Sequence, residues 1–438
     1  MLLPFPFSRR RTLFPALIFF LTLTGLASTA SAQVAAIGDE LPVSQGSIDP
    51  EALPTIAVDA DGEFVVVWQR ELLTSDLGDI YVRRFAVDGT PLGDEQRVNV
   101  TTLDDQVDPD VAFLNDGSYI VVWDSDNQDG SNRGIYGRLF GPDDQPLGGE
   151  IAINAITSGD QNDAVVAPAI DGGFLVAWET LQVGNMFEDV VARRFDATGT
   201  ALGDEIALAT TTGGDQEDLD LAAAADGTFV AVWESPNDAE DDAIIARRLA
   251  VDGTPSGAEI QVNLSEVGDQ TDPDLIVFDD GGFVVAWQDD RKDGTPPSVV
   301  TRFFDAANGP IGNPFRILGG VVVHFSPRLA RDGSGGAVLI WDRLNVSLND
   351  PDVVATHLGR GFALPRDLAV TLTTRPAEEQ IFGHLAIAPI GGLGLAVWMN
   401  IVPFPDFEVD VTARQIEVPM YWDNFESGLT DFWSTTNP

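Results

Sequence analysis

Apolar residues recur along the chain in short runs, each of which ends in a tryptophan. Residues 280–287 read DGGFVVAW, and residues 171–178 repeat this run as DGGFLVAW. The tryptophans are Trp68, Trp123, Trp178, Trp233, Trp287, Trp341 and Trp398, at intervals of 55, 55, 55, 54, 54 and 57 residues. A nearly constant period over most of a chain indicates a repeat architecture.

The pattern within one repeat predicts four antiparallel strands. In the first unit they lie in residues 54–62, 63–69, 79–89 and 95–100. The second, EFVVVWQ, is apolar at consecutive positions, so both of its faces are buried and it lies inside a stack of sheets. An Asp-Gly pair such as Asp61-Gly62 supplies the positive φ of a tight turn before it. These features are typical of a β-propeller blade, with a β-solenoid as the alternative.

The two ends of the repeat region favour a closed ring. Residues 409–418 form a third strand without a following fourth strand, whereas residues 37–43 (IGDELPV) match residues 92–98 (LGDEQRV) of a fourth strand. Such an offset is useful only if the first and last units meet. The sequence therefore predicts an all-β, seven-bladed β-propeller of four-stranded antiparallel blades over residues 33–418. Its last blade is closed by the N-terminal strand 37–43.

Two charged columns repeat from unit to unit. Third strands carry Arg83, Arg138, Arg193, Arg247, Arg302 and Arg414, and fourth strands carry Glu40, Glu95, Glu150, Glu205 and Glu259. We expect each arginine to form an ion pair with the glutamate of its own blade. Because an active site needs one constellation of residues and not six, we interpret both columns as scaffold.

The segments outside the repeats indicate export. Arginines at 9–11, the apolar run 13–27 and STASA ending at Ala32 predict a signal peptide over residues 1–32. We therefore expect a secreted, extracellular, periplasmic or cell-surface protein. Cysteine is absent, which excludes disulfides and thiol chemistry. Residues 419–438 form an aromatic C-terminal tail beyond the last blade.

The charge of the chain excludes some partners. With 69 acidic and 24 basic residues, the formal net charge is −45, so nucleic acid and anionic membranes are repelled. A protein or glycan ligand remains, and we expect a monomer that does not insert into a membrane. Acidic residues concentrate in the blade connections and in the loops between second and third strands, which share one face of a propeller. That face is the predicted binding surface.

Two loops and two histidines are candidate metal ligands. WDSDNQDG (123–130) contains Asp124, Asp126 and Asp129, and WQDDRKDG (287–294) places Asp290 and Asp293 at matching offsets. Several oxygens on one flexible loop suit calcium, with a solvated polar turn as the alternative. His324 and His384 lie near adjacent blade connections, where they form a second metal candidate or are ordinary loop histidines. No other cofactor is indicated.

The repeat motifs resemble those of a known group of proteins. DGGFVVAW, the IYVRRF third strand, DGTPLGDE and the GDQ linker are similar to repeats of secreted bacterial β-propellers of the integrin-type and WD-like kind, over about residues 37–418. The resemblance implies the fold and carries over no catalytic residue. DNFESGLTDFWS in the tail is similar to an FESG-x-W-S segment at the ends of other secreted bacterial proteins.

Motifs of common enzymes are missing from the sequence. It contains no Gly-x-Ser-x-Gly elbow, Walker loop or His-Glu-x-x-His helix. The sequence thus predicts a non-catalytic binding or scaffold propeller. The alternative is an extracellular hydrolase or lyase with a carboxylate site at the channel mouth. A non-repeating cluster of carboxylate, histidine and arginine in that mouth favours the enzyme.

Overall fold

The computed structural model consists of β-strands joined by turns and loops. It describes residues 34–45, 49–72, 77–211, 213–236, 241–264, 268–292, 294–317, 322–332, 335–345, 350–359, 369–373, 379–389, 392–402 and 408–418. Within these ranges no helix is long and apolar enough to cross a membrane. The predicted signal peptide and the aromatic tail lie outside the described residues.

The strands group into seven blades. β1 (Ala35–Pro42) precedes blade 1, which contains β2 (Glu51–Val58), β3 (Phe64–Leu72), β4 (Leu77–Phe85) and β5 (Gln96–Arg97). Blade 2 contains β6 (Gln106–Phe113), β7 (Tyr119–Asp126), β8 (Arg133–Phe140) and β9 (Ile151–Ala152); blade 3 contains β10 (Gly159–Pro168), β11 (Phe174–Gln182), β12 (Asp189–Phe195) and β13 (Ile206–Ala207); blade 4 contains β14 (Glu217–Ala223), β15 (Phe229–Pro236), β16 (Asp242–Leu249) and β17 (Ile260–Gln261). Blade 5 contains β18 (Asp269–Val277), β19 (Phe283–Asp290), β20 (Ser298–Phe304) and β21 (Pro310–Arg316); blade 6 contains β22 (Val322–Arg331), β23 (Ala337–Asn345), β24 (Asp350–Leu358) and β25 (Val370–Thr371); blade 7 contains β26 (Glu379–Ile387), β27 (Leu393–Val402) and β28 (Glu408–Glu417).

Each blade is a four-stranded antiparallel sheet, and the seventh is completed from the other end of the chain. Its strand order is β1-β28-β27-β26, whereas the other sheets follow chain order. β1 pairs with β28 from Ala35↔Glu417 to Pro42↔Thr412, with a shift in register between Ile37 and Leu41. The predicted seven-bladed ring and its closure are confirmed. The closing strand begins and ends one or two residues earlier than the sequence match.

The hydrophobic cores lie between neighbouring blades. One cluster joins Ile120 and Val122 of blade 2 to Phe174 and Trp178 of blade 3. Another cluster joins blade 1 to blade 7 across the closure. All seven repeat tryptophans are buried. In blades 2, 4 and 5 the indole N–H donates to a glutamine at the start of the first strand, at 2.8 to 3.2 Å. The tryptophans are therefore packing residues.

Among the described residues, the predicted pairing of the arginine and glutamate columns is found in blade 4, where Arg247 Nη1 lies 3.9 Å from Glu259 Oε1. Elsewhere both columns contact the backbone of the preceding blade. Arg138 Nη1 donates to the carbonyl oxygen of Val98 at 2.8 Å, and Arg193 Nη1 to that of Ile153 at 2.8 Å. Glu150 Oε1 accepts from the amide of Thr101 at 2.9 Å. The outer strands are short and leave such groups unpaired. We call these interactions the inter-blade contacts.

Candidate functional site

The first strand of every blade forms the inner wall of the propeller and contains a β-bulge. Consecutive first strands contact one another around the ring, and β26 meets β2. The register with the second strand shifts, for example between Val107 and Asp110. Bulge residues with positive φ are Leu53, Asp108, Asp163, Asp218, Asp272 and Ser326. A bulge bends its strand and turns the side chains that follow it toward a new direction.

The residues that follow the bulges occupy one level of the wall, and we call them the axial ring. Each pairs with the residue immediately before the repeat tryptophan. The members are Thr55, Asp110, Val165, Asp220, Asp274, Arg328 and His384. Unlike the packing and inter-blade columns, this column mixes side chains, because aspartate fills three of the seven places and Thr, Val, Arg and His fill one each. It is the cluster of carboxylate, histidine and arginine that favours an enzyme.

Each axial carboxylate is fixed by the next blade. Oδ2 of the aspartate accepts a hydrogen bond from a backbone amide on the neighbouring first strand. The pairs are Asp110 with Val166 N at 2.8 Å, Asp220 with Leu275 N at 2.7 Å and Asp274 with Leu329 N at 2.7 Å. One oxygen of each carboxylate is thus held in position by the scaffold, as a preorganised site requires.

Arg328 connects the acidic and histidine members of the axial ring. Its Nε donates to His384 Nε2 at 3.4 Å and lies 3.8 Å from Asp274 Oδ1. The side chains of Asp274 and Arg328 are 16% and 17% exposed. On the other side of the ring, Thr55 Oγ1 donates to Asp110 Oδ1 at 3.3 Å. The ring is therefore tightly packed but accessible to a small part of a ligand.

The axial carboxyl groups have raised pKa values. Burial, together with the charge of Asp220, raises the pKa of Asp110 to about 6. Burial also raises the pKa of Asp220, while Arg328 opposes this rise. The pKa of Asp274 lies well above its usual range because of burial and the charge of Asp220. A protonated carboxyl beside an ionised one is the arrangement that general acid and base catalysis needs.

These raised pKa values predict that the fold loses stability as the pH rises from about 5 to about 7.5. Between the ordinary aspartate pKa and the raised one, the folded protein holds protons that the unfolded chain has released. The free energy of unfolding therefore falls with pH. We expect the Tm in thermal melts to drop by about 5 °C, and the drop to be smaller in Asp110→Asn. A Tm that rises over this range contradicts the prediction.

A second layer of carboxylates lies behind the bulges, directly after the tryptophans. Asp124, Glu179 and Glu234 are buried. Asp124 Oδ2 accepts from the amide of Asp163 at 3.1 Å, and Glu234 Oε1 from that of Asp272 at 2.7 Å. Burial, followed by neighbouring acidic charges, raises the pKa values of all three carboxyl groups. This end of the channel is strongly acidic.

The structure separates the predicted calcium ligands of blade 2. Arg133 lies among the carboxylates, with Nε 3.0 Å from Asp126 Oδ1 and Nη1 3.7 Å from Asp124 Oδ2. Asp129 instead accepts from Ser131 N at 3.0 Å and from Asn154 Nδ2 at 3.3 Å. Asp124 and Asp126 thus share a guanidinium, whereas Asp129 has separate partners. A calcium ion in this loop stays a prediction.

Those of the remaining predicted ligands that the structure describes have different surroundings. Asp290 accepts from the amide of Lys292 at 3.1 Å, and Asp293 lies outside the described residues. His324 is buried, and its Nδ1 accepts from the Trp341 indole at 2.8 Å. It thereby takes the place of the repeat glutamine. Burial and Arg343 lower the pKa of His324 to about 4. His384 belongs to the axial ring, so the two histidines have different surroundings.

Sequence reasoning did not single out Asp220 and Arg328. It placed Asp110 and Asp274 only among the acidic residues of one face, and it considered His384 as a metal ligand. An alignment of the first strands on the residue that pairs before each tryptophan would have placed these side chains in one variable column. That column is the axial ring.

Comparisons with known proteins are limited to the fold. No protein-family model and no curated protein matches the chain. A solved protein of unknown function from Dyadobacter fermentans DSM 18053 matches with a TM-score of 0.54 and 10% identity, over 88% of this chain and 100% of that one. The polysaccharide lyase Uly1 matches with a TM-score of 0.54 and 11% identity, over 83% and 89%. An α-L-arabinanase from Penicillium chrysogenum, complexed with arabinobiose, matches with a TM-score of 0.46 and 12% identity, over 70% and 92%.

These neighbours correct the predicted function. At 10% and 11% identity, the two matches with a TM-score of 0.54 show the propeller fold. The one of these two that is named by an activity is a polysaccharide lyase, and the axial ring brings carboxylates, an arginine and a histidine to one level. The prediction of a non-catalytic binding or scaffold protein is therefore wrong. The predicted alternative, an extracellular hydrolase or lyase, fits the neighbours better.

Proposed function

We propose that this protein hydrolyses a neutral polysaccharide at the axial ring of the propeller. The observation that carries the proposal is the ring itself, where Asp110, Asp220, Asp274, Arg328 and His384 occupy equivalent positions in different blades. At this level of the inner wall the repeat places carboxylate, guanidinium and imidazole groups side by side.

The pKa shifts in the axial ring support an assignment of the two carboxyl roles in glycoside hydrolysis. This reaction needs one protonated carboxyl to donate to the leaving oxygen and one carboxylate to act as base or nucleophile. Burial and the charge of Asp220 raise the pKa of Asp274 well above its usual range, against the opposing charge of Arg328, and we assign Asp274 as the donor. Burial also raises the pKa of Asp220, but hydrogen bonds from the amides of Leu275 and Leu221, followed by the charge of Arg328, lower it, and we assign Asp220 as the carboxylate. Arg328 and His384 hold the donor side of the ring.

The charge of the protein favours a neutral substrate. A net charge of −45 and the carboxylates around the channel repel polymers of uronic acids. Elimination from a uronate requires a cation that neutralises the substrate carboxylate, and Arg328 already lies 3.8 Å from Asp274. The likeness to a polysaccharide lyase supports a glycan as the class of substrate, and the electrostatics support hydrolysis. Export by the predicted signal peptide would bring the enzyme to such polymers.

A panel of polysaccharides tests the proposal. The purified protein is incubated with neutral polymers (arabinan, galactan, xylan) and with anionic ones (polygalacturonate, alginate). We expect new reducing ends from at least one neutral polymer, without the ultraviolet absorbance of an unsaturated product. Absorbance that rises only with anionic polymers would show a lyase and overturn hydrolysis. No product from any polymer would overturn the proposal altogether.

A further inference from the structure

Three acidic side chains converge between blades 3 and 4. Glu188 precedes β12, Asp215 lies in the connection between the blades, and Glu217 begins β14. Each offers one carboxylate oxygen, and these oxygens lie within 4.8 Å of one another. Two ligands on opposite sides of a calcium ion reach about this separation, since Ca–O distances are about 2.4 Å.

The backbone holds this group together. The amide of Glu188 donates to Asp215 Oδ1 at 3.1 Å, and the amide of Gln216 donates to the carbonyl oxygen of Glu188 at 2.9 Å. The segment before β12 is thus fixed against the start of the next blade. The three carboxylates are brought together by the packing of two blades and do not belong to one mobile loop.

Glu179 provides a second, independent observation. Its side chain is 3% exposed, and among the described residues no donor reaches its Oε1. Glu179 pairs with Val190 across β11 and β12, and Glu188 lies two residues from Val190, so both glutamates project from the same face of the blade. A buried carboxylate oxygen without a donor is costly unless a cation or a proton satisfies it.

Several acidic side chains raise the pKa of the Glu179 carboxyl group. Besides burial, the negative charges of Asp163, Asp218, Glu188 and Glu217 raise the pKa of its carboxyl group. Asp163 and Asp218 have the larger effects, and Glu188 and Glu217 of the convergent group add to them, so the carboxyl group of Glu179 lies partly in the field of that group. The site combines buried and half-exposed carboxylates from both sides of one blade interface.

In blade 2, the position that corresponds to Glu188 carries a positively charged side chain. Asp124 follows Trp123 as Glu179 follows Trp178. Arg133 and Glu188 correspond, because each lies three residues before the partner of the repeat tryptophan. The guanidinium of Arg133 lies 3.7 Å from Asp108 and from Asp124. Blade 3 thus carries a carboxylate where blade 2 carries a positive charge.

We propose that Glu188, Asp215 and Glu217 bind a divalent cation of the calcium class between blades 3 and 4, beside the buried carboxylate of Glu179. The three direct ligands are carboxylate oxygens, which hard cations prefer. The ion occupies the place that corresponds to the Arg133 guanidinium and joins the two blades. This site differs from the loop of Asp124, Asp126 and Asp129, and it does not depend on the proposed hydrolase activity.

Calcium titration of the EDTA-treated protein tests the site. By isothermal titration calorimetry we expect saturable binding, and at 100-fold excess over Kd a rise in Tm of several degrees. Glu188→Gln and Glu217→Gln are expected to weaken binding by about 10-fold or more. Asp129→Asn, in the predicted calcium loop of blade 2, is the matched control and is expected to bind like the wild type.

Glu188→Arg separates loss of the ion from loss of the fold. It copies the arrangement of blade 2, so we expect it to abolish calcium binding while its Tm in EDTA equals or exceeds that of the wild type. Absence of calcium binding by the wild type would overturn the proposal. Binding that is lost in Asp129→Asn and kept in Glu188→Gln would also overturn it and would favour the blade 2 loop.

Discussion

Asp274→Asn is expected to lower kcat on the cleaved polysaccharide by about 100-fold or more, since general acid catalysis contributes factors of about 10² to 10⁴. Asparagine cannot donate the proton to the leaving oxygen. Its amide oxygen can still accept from Leu329 N, the contact that fixes Asp274 at 2.7 Å, so the fold is retained. Rates are measured as reducing ends released under saturating substrate.

The pH profile distinguishes a proton donor from a structural aspartate. In the wild type we expect the rate to fall at alkaline pH as Asp274 loses its proton, and this limb should disappear in Asp274→Asn. Asp129→Asn, which lies outside the axial ring, is the control and is expected to keep the wild-type rate and profile. An Asp274→Asn variant with a wild-type rate would contradict the assigned role.

Truncation of the chain to begin at Ser44 is expected to lower the Tm by about 10 °C and to promote association. This truncation removes β1, which pairs with β28 in the last blade. It also removes Val34, which is buried beside Val418 in the core of that blade, and Gly38, whose carbonyl oxygen accepts from Arg414 at 3.0 Å. The exposed edge of β28 would then be free to pair with another molecule.

A chain that begins at Val34 is the matched control for this truncation. It keeps β1 entire and is expected to melt like the parent, because it lacks only residues that precede the strand. Thermal melts and size-exclusion chromatography compare the two truncations. If the chain that begins at Ser44 melts and elutes like the longer one, closure by β1 does not stabilise the ring.

The fold can be predicted from the sequence because an apolar run that ends in a tryptophan recurs seven times. Tryptophan spacing gives the number of blades, and the match of residues 37–43 to a fourth strand locates the closure. The arginine and glutamate columns were harder to interpret. Their partners are backbone groups such as Val98 O and Thr101 N in the preceding blade, and backbone groups leave no mark in a sequence.

The axial ring was missed for a different physical reason. A bulge such as that between Thr271 and Asp274 interrupts the alternation of the first strand, so periodicity cannot tell which side chains face the channel. Residues that repeat in every blade dominate a search for motifs, whereas aspartate fills only three places of the axial column and Arg328 only one. The repeating columns therefore suggested a scaffold, and the informative position was the one that varies.

The inter-blade contacts end on main-chain carbonyl and amide groups, which every amino acid provides. Arg193 holds Ile153 through its carbonyl oxygen, so another residue at 153 would offer the same acceptor. These hydrogen bonds are therefore insensitive to the neighbour's side chains, whereas the cores between the blades depend on apolar side chains from both sides. The same hydrogen bonds can persist where the sequence of a blade changes, provided that the core between the blades stays apolar.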